Sequence, residues 1–240
     1  YDMFPLAEVV DTILKLGERS MGTPVEIEIA VNTERSGEKK PDFSILQIRP
    51  IASTYNESDI EIDDYEKDDA LIYAERVMGN GYISELKDII TIKPNAFDKS
   101  KTVEMANELS SFNSTIDCDY ILIAAGRLGS TDRWLGIPCA WSDISRARVI
   151  IETGLPDFQV EPSQGTHFFQ NMTSLGCVYL TINPVYNEGI LDYDKLMKLE
   201  VVEESKYFIH LRAKDGLIVK ANGLEQRAII KEHKEIEEWQ

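Results

Sequence analysis

The chain has 240 residues, 43% of them hydrophobic, enough for one large domain or two small ones with a sizeable core. Its 42 acidic against 25 basic side chains give a net charge of −17, which argues against nucleic acid as a partner, because phosphate backbones are held by cationic surfaces. Cys118, Cys139 and Cys177 are far apart and lack metal-ligand spacing, so they read as reduced thiols of a cytoplasmic protein, and no apolar run is long enough for a membrane span or placed as a signal peptide.

Residues 1–19 carry Leu6, Val9, Val10, Ile13, Leu14 and Leu16 at helical spacing, with Pro5 fitting the first turn and Gly17 and Gly22 marking the end. Val25, Ile27, Ile29 and Val31 then alternate with Glu26, Glu28 and Ala30, the period of a half-buried strand whose carboxylates share a face. A polar loop holding Gly37 and Pro41 leads to a second apolar run, Phe43 to Ile48, that stops at Pro50, so the segment reads as a hairpin. On the return strand Ile45, Gln47 and Arg49 point one way and Ser44, Leu46 and Ile48 the other. A register setting Gln47 beside Glu28 gathers a carboxylate, an amide oxygen and a guanidinium. Two oxygen ligands suit magnesium, and the cationic fork suits phosphate oxygens. The competing reading is a solvated hairpin face with ordinary charges.

The order acidic-Ile-Glu, strand, loop, then Leu46-Gln47-x-Arg49-Pro50 resembles the end of the nucleotide-binding domain of phosphoenolpyruvate synthase and pyruvate phosphate dikinase, an ATP-grasp fold. The resemblance covers about the first fifty residues. It implies Glu28 and Gln47 as magnesium and ATP ligands and Arg49 as the catalytic contact to the transferring phosphates. Glu26 stands where that family often has Asp and is counted with the nucleotide site. The resemblance also implies a preceding portion that forms the other half of the ATP cleft, which makes this chain a carboxy-terminal piece that is inactive alone.

From Ser53 to Asp69 the composition turns acidic and poor in large aliphatics, as in a solvated connector. The expected division is therefore 1–51 for the nucleotide-binding portion, 52–69 for the linker and 70–240 for an appended α/β domain. Within the last, Leu71–Met78 and Tyr82–Lys93 flank Gly79-Asn80-Gly81 and read as a second hairpin. Met105, Leu109 and Phe112 mark a helix, and Tyr120–Ala125 reads as a strand covered on both faces, so strand, helix, strand implies a parallel pair.

The turn after that strand runs Gly126-Arg127-Leu128-Gly129-Ser130 and on to Arg133 and Trp134. Backbone N–H groups at Gly126 and the side chain of Arg127 make it a second candidate anion site, although its glycine spacing fits neither a P-loop nor a dinucleotide fingerprint. The bland alternative is a tight loop with Trp134 plugging the core. Arg148–Glu152 reads as a strand and Pro162–Leu175 as a capped helix. His167 in that helix is followed by two phenylalanines, unlike the phosphate-carrying histidine of the resembled enzymes, and reads as a packed residue.

Segments 126–145 and 162–181 resemble an extra domain appended to certain bacterial phosphoenolpyruvate-synthase-like proteins. Cys177–Asn183 reads as a strand and Asp192–Leu199 as a short helix capped by Asp192. Tyr207–Ala213 and Leu217–Ala221 read as a hairpin about Lys214-Asp215-Gly216, and Asn222-Gly223 turns the chain towards a last strand, Arg227–Lys231. His233 reads as exposed.

The expected fold is α/β, a helix and hairpin from the end of an ATP-grasp domain followed by a mixed-sheet domain. By the resemblance, the parent protein passes phosphate from magnesium-ATP through a histidine to pyruvate, giving phosphoenolpyruvate, with no membrane or nucleic-acid partner. The alternative is a non-catalytic accessory module that binds a partner or small anion at the Gly126 loop. A hydrolase is disfavoured because no nucleophile-elbow motif is present.

Overall fold

The computed structural model describes residues 5–21, 25–32, 42–50, 60–130, 132, 134–159, 161 and 176–233, and the chain divides into two units, Tyr1–Thr54 and Tyr55–Gln240. In the first unit the apolar stripe forms helix α1 (Leu6–Met21), followed by strands β1 (Val25–Asn32) and β2 (Asp42–Pro50), paired antiparallel. Gly17 does not end the helix; it lies buried inside it. A Cβ there would fall 2.6 Å from Val25 Cγ2 and 2.9 Å from Ile48 Cδ1. The missing side chain is what lets the helix backbone rest on the hairpin.

The second unit is a mixed α/β structure built on a large curled sheet. Helix α2 (Glu66–Asp69) precedes β3 (Ile72–Ala74), β4 (Val77–Met78) and β5 (Gly81–Ile92). Helix α3 (Thr102–Thr115) leads to β6 (Tyr120–Ala125), and the short β7 (Arg127–Leu128) and β8 (Gly136–Ile137) precede β9 (Ala147–Thr153). Next come β10 (Val178–Ile182), β11 (Ile190–Leu191) and helix α4 (Tyr193–Leu196). The last elements are β12 (Glu200–Glu204), β13 (Phe208–Asn222) and β14 (Arg227–Glu232). The strand order is β11-β3-β14-β13-β5-β6-β9-β10-β4, with β12 added on β13.

The curl follows from chain length. Strands β3 and β4 stand near opposite ends of that order, seven neighbour steps apart, which is about 34 Å on a flat sheet at roughly 4.8 Å per strand. Only Glu75 and Arg76 connect them, and the three backbone steps from Ala74 to Val77 reach at most about 10 Å. The two ends of the sheet must therefore come round to meet. The seam is bridged by Gln226, whose amide oxygen accepts from Val77 N (3.2 Å) and whose amide nitrogen donates to Val77 O (2.9 Å), as a neighbouring strand would.

Alternate residues fill the two faces. Ile89, Ile121, Ile151, Leu180, Leu211 and Ile230 belong to the core on one face. Ile90, Leu122, Ile150 and Phe208 face the other way, against Met105, Leu109 and Phe112 of α3. Strands β5, β6, β9 and β10 are mutually parallel, and the β5-α3-β6 crossover is the one the apolar pattern implies.

Three expectations change. Strand β5 does not pair with the segment before Gly79: β3 pairs with β14 and β11, and β4 with β10. Gly79 does take positive φ (+98°), so the turn is present while its flanks find distant partners. Second, Lys214-Asp215-Gly216 is no hairpin turn. One strand, β13, runs through it, and the register against β5 jumps from Arg212↔Asp88 to Leu217↔Leu86, leaving the intervening residues as a bulge. Third, the described part of the acidic run is exposed along most of its length, Asp64 and Tyr65 included, but it is anchored to the sheet at two points. Ile62 is buried, and Glu66, 4% exposed, receives Lys231 Nζ at 2.6 Å and Lys220 Nζ at 3.0 Å from the β14 and β13 strands. The hairpin of β13 with β14, the strands at Arg148 and Cys177, and the Asp192 cap on α4 are as read from the sequence. The helix expected at 162–175, with His167, lies outside the described residues.

Candidate functional site

The first unit places its polar residues by strand register. Glu28 stands opposite Gln47 and Glu26 opposite Arg49. Directly opposed residues of an antiparallel pair share a face, as do residues two apart, so all four project from one face. Glu28 and Gln47 are exposed, Glu26 and Arg49 half-buried. Arg49 Nη2 donates to Gln47 Oε1 at 2.9 Å, and Arg49 Nε lies 3.7 Å from Glu26 Oε1.

A bulge follows at once: after Glu28↔Gln47 comes Ile29↔Ile45, with Leu46 as the extra residue. Ile45 is thereby paired with Ile29 and leaves the face that strict alternation assigns it, and the bulge ends the polar patch next to Gln47. The opposite face, through Val25 and Ile48, meets Gly17 of α1.

Chemically, the patch offers a carboxylate and an amide oxygen on facing strands with a guanidinium beside them. That set fits magnesium, which keeps several waters and takes its remaining ligands from substrate phosphates. Among the described residues no group of three or more His, Cys, Asp or Glu could hold a metal by protein ligands alone.

The second candidate, the loop at Gly126, is built differently from an anion cradle. Gly126, at φ +68°, directs its N–H to Thr153 O. Arg127 N donates to Leu135 O, Leu128 N to Glu152 Oε1 and Gly129 N to Ile137 O. These four amides are spent on protein acceptors. Arg127 Nε donates to Glu161 O at 2.7 Å, so its guanidinium is drawn along the chain. Trp134 is half exposed and plugs nothing. Thr131, Arg133 and His167 lie outside the described residues.

Beside this loop lies a cavity of about 400 Å³ at the carboxyl ends of β6, β9 and β10, lined by Gly126, Thr153, Gly154, Thr181 and Asn183 among others. Ligands of open α/β sheets sit beyond that end of parallel strands. The buried carboxyl of Glu152 on its wall accepts from Leu128 N (2.8 Å) and Tyr179 OH (2.6 Å).

No protein-family model, curated protein or solved structure matches this chain.

A further cluster escaped the sequence reading. At the other end of the parallel strands, beside Tyr120, Asp88 is 4% exposed and accepts from His210 Nε2 (2.6 Å), Arg212 Nη2 (2.7 Å) and Cys118 Sγ (3.2 Å). Burial pushes the Asp88 carboxyl up, but these hydrogen bonds outweigh it and hold the group below the ordinary carboxylate range. Asp88 and His210 each interrupt an apolar strand run, and a polar residue in such a run is the signal that would have found them. His210 and Arg212 of β13 and Cys118 just before β6 all donate to this one carboxylate of β5, so the cluster ties neighbouring parts of the sheet together.

Proposed function

We propose that the helix and hairpin of the first unit are the magnesium-nucleotide edge of an ATP-dependent phosphotransferase resembling phosphoenolpyruvate synthase and pyruvate phosphate dikinase. The observation that carries this reading is the register, which sets Glu28 against Gln47 with Arg49 donating to Gln47. In this reading Glu28 and Gln47 hold the metal on the ATP phosphates, and Arg49 exchanges its bond to Gln47 for the transferring phosphoryl oxygens. Glu26, its Oε1 3.7 Å from Arg49 Nε, lies on the other side of the guanidinium and favours its charge there. Phosphoryl transfer asks the protein for position and charge neutralisation rather than covalent chemistry, and an acid, an amide and a permanent cation supply both. The phosphate then passes through a histidine to pyruvate.

The test is phosphorylation of the full-length gene product by labelled ATP with magnesium, with pyruvate as acceptor. Glu28→Ala is expected to remove metal-nucleotide binding, and Arg49→Ala to lower turnover by about a hundredfold or more while sparing binding. Tight ATP binding that survives Glu28→Ala would refute the assignment.

A further inference from the structure

We infer that the cavity at the carboxyl ends of β6, β9 and β10 is a binding site for a small neutral polyhydroxylated molecule of monosaccharide size. Its position is one that parallel strands reserve for ligands, and its volume, about 400 Å³, lies within the range of small-molecule pockets.

The polar groups decide the ligand class. The loop from Asn183 to Glu188 forms one rim and is fixed by paired backbone bonds, Asn183 N to Glu188 O at 2.7 Å and Glu188 N to Asn183 O at 3.0 Å. It carries the amide of Asn183, the exposed ring of Tyr186 and the carboxylate of Glu188. Asn183 Nδ2 donates to Gln159 Oε1 at 2.7 Å, while Asn183 Oδ1 is buried without a partner. A buried acceptor without a donor is costly, and a ligand hydroxyl would supply one.

Gly154 lies under both amides. A Cβ on it would stand 2.7 Å from Gln159 Oε1 and 2.9 Å from Asn183 Oδ1, so the bare backbone keeps the floor open beneath them. Thr181 adds a hydroxyl that can both donate and accept, while the Thr153 hydroxyl donates to Gly154 O at 3.1 Å and keeps only its acceptor capacity.

Other ligand classes fit worse. An anion would need free N–H donors, and those of Gly126 to Gly129 are spent. An organic cation would need an open carboxylate, whereas Glu188 is met by Arg76 Nη2 at 2.7 Å, Glu152 accepts from Leu128 N and Tyr179 OH, and Glu161 lies 3.9 Å from Arg127 Nη2. An apolar ligand would strand the amides. What remains is a molecule whose hydroxyls pair with an acceptor, an amide network and a charge-paired rim, with a tyrosine ring at the mouth for its C–H face.

The experiment is saturation-transfer NMR of the chain with D-ribose, D-glucose and myo-inositol as probes, followed by titration of whichever responds. The expected result is saturable binding of at least one, lost in Gly154→Val. Binding should weaken about tenfold in the isosteric Thr181→Val, which keeps the strand intact should the valine at 154 prevent folding. Transfer to none of the three, or binding unchanged in both variants, overturns the proposal. So does displacement of the bound probe by inorganic phosphate or by agmatine at equal concentration, which would assign the cavity to an anion or a cation instead.

Discussion

Asp88 is a buried carboxylate on which donors from three residues converge. It is buried in β5, and its donors come from β13 and from the segment before β6. Replacing it with Asn keeps the shape but leaves Arg212 and His210 facing an amide that can accept fewer bonds. We expect Asp88→Asn to cost about 2–4 kcal/mol of unfolding free energy in urea. The pH dependence follows from the same contacts. Because the native carboxyl titrates below its unfolded value, its contribution is complete above the usual carboxylate pKa near 4 and fades as pH falls through the lower native value. The acid limb of the stability curve should therefore flatten in Asp88→Asn, and an unchanged limb would place the acid sensitivity elsewhere. At Gly17 the opposing effects are a helix-propensity gain of about 1 kcal/mol for Ala and an overpacking cost of roughly 1–3 kcal/mol against Val25, whose branched side chain has little room to turn. The clash should win.

At the scale of elements, legibility in the sequence tracks locality. The hairpin that holds Glu28, Gln47 and Arg49 could be read because alternation places the acids and the two strands are consecutive in sequence; only the bulge at Leu46 was hidden, since it depends on the facing strand. The β5-α3-β6 unit was legible for the same reason. Gly79-Asn80-Gly81 and Lys214-Asp215-Gly216 misled because each has the composition of a turn between strands, yet β3 and β5 around the first pair with β14 and β13, more than a hundred residues away, and β13 runs through the second to pair with distant β5 as well as with its near neighbours β12 and β14. The cavity was invisible, being assembled from the ends of three strands and the loop after β10. The acidic run is exposed along most of its described length, as its charge suggests, yet lysines of β13 and β14 hold Glu66, a contact that local composition does not reveal. Burial pushes the Glu66 carboxyl up, and the bonds from Lys231 and Lys220 more than reverse it. Glu66→Ala would leave both ammonium groups without that acceptor. It should lower stability by about 2–3 kcal/mol and deprotect residues 60–69 in hydrogen exchange, whereas a solvated connector would change neither.

For the whole molecule, the two units differ most in how much apolar surface each buries. The sheet of the second unit curls from β3 round towards β4 and holds two large sets of buried side chains, one on each face. Its first strand in chain order, β3, pairs with its last, β14, so segments far apart in sequence are held in one sheet. In the first unit Val25 is the only large apolar side chain among the described residues to reach full burial, and Leu16, Ile45 and Leu46 are more than half or about half exposed. A two-stranded ribbon with one helix has little to offset the entropy of ordering it. Native-state hydrogen exchange should therefore separate the two. Amides of β5, β6, β9 and β13 are expected to exchange together, at the free energy of global unfolding, while those of β1, β2 and α1 exchange several kcal/mol more easily. Added magnesium-ATP bears on the same measurement: if Glu28 and Gln47 hold the metal, protection should rise in β1 and β2 of the full-length protein and stay constant across the sheet. Uniform protection across both units, or a nucleotide effect confined to the sheet, would contradict this division of stability and the assignment of the hairpin with it.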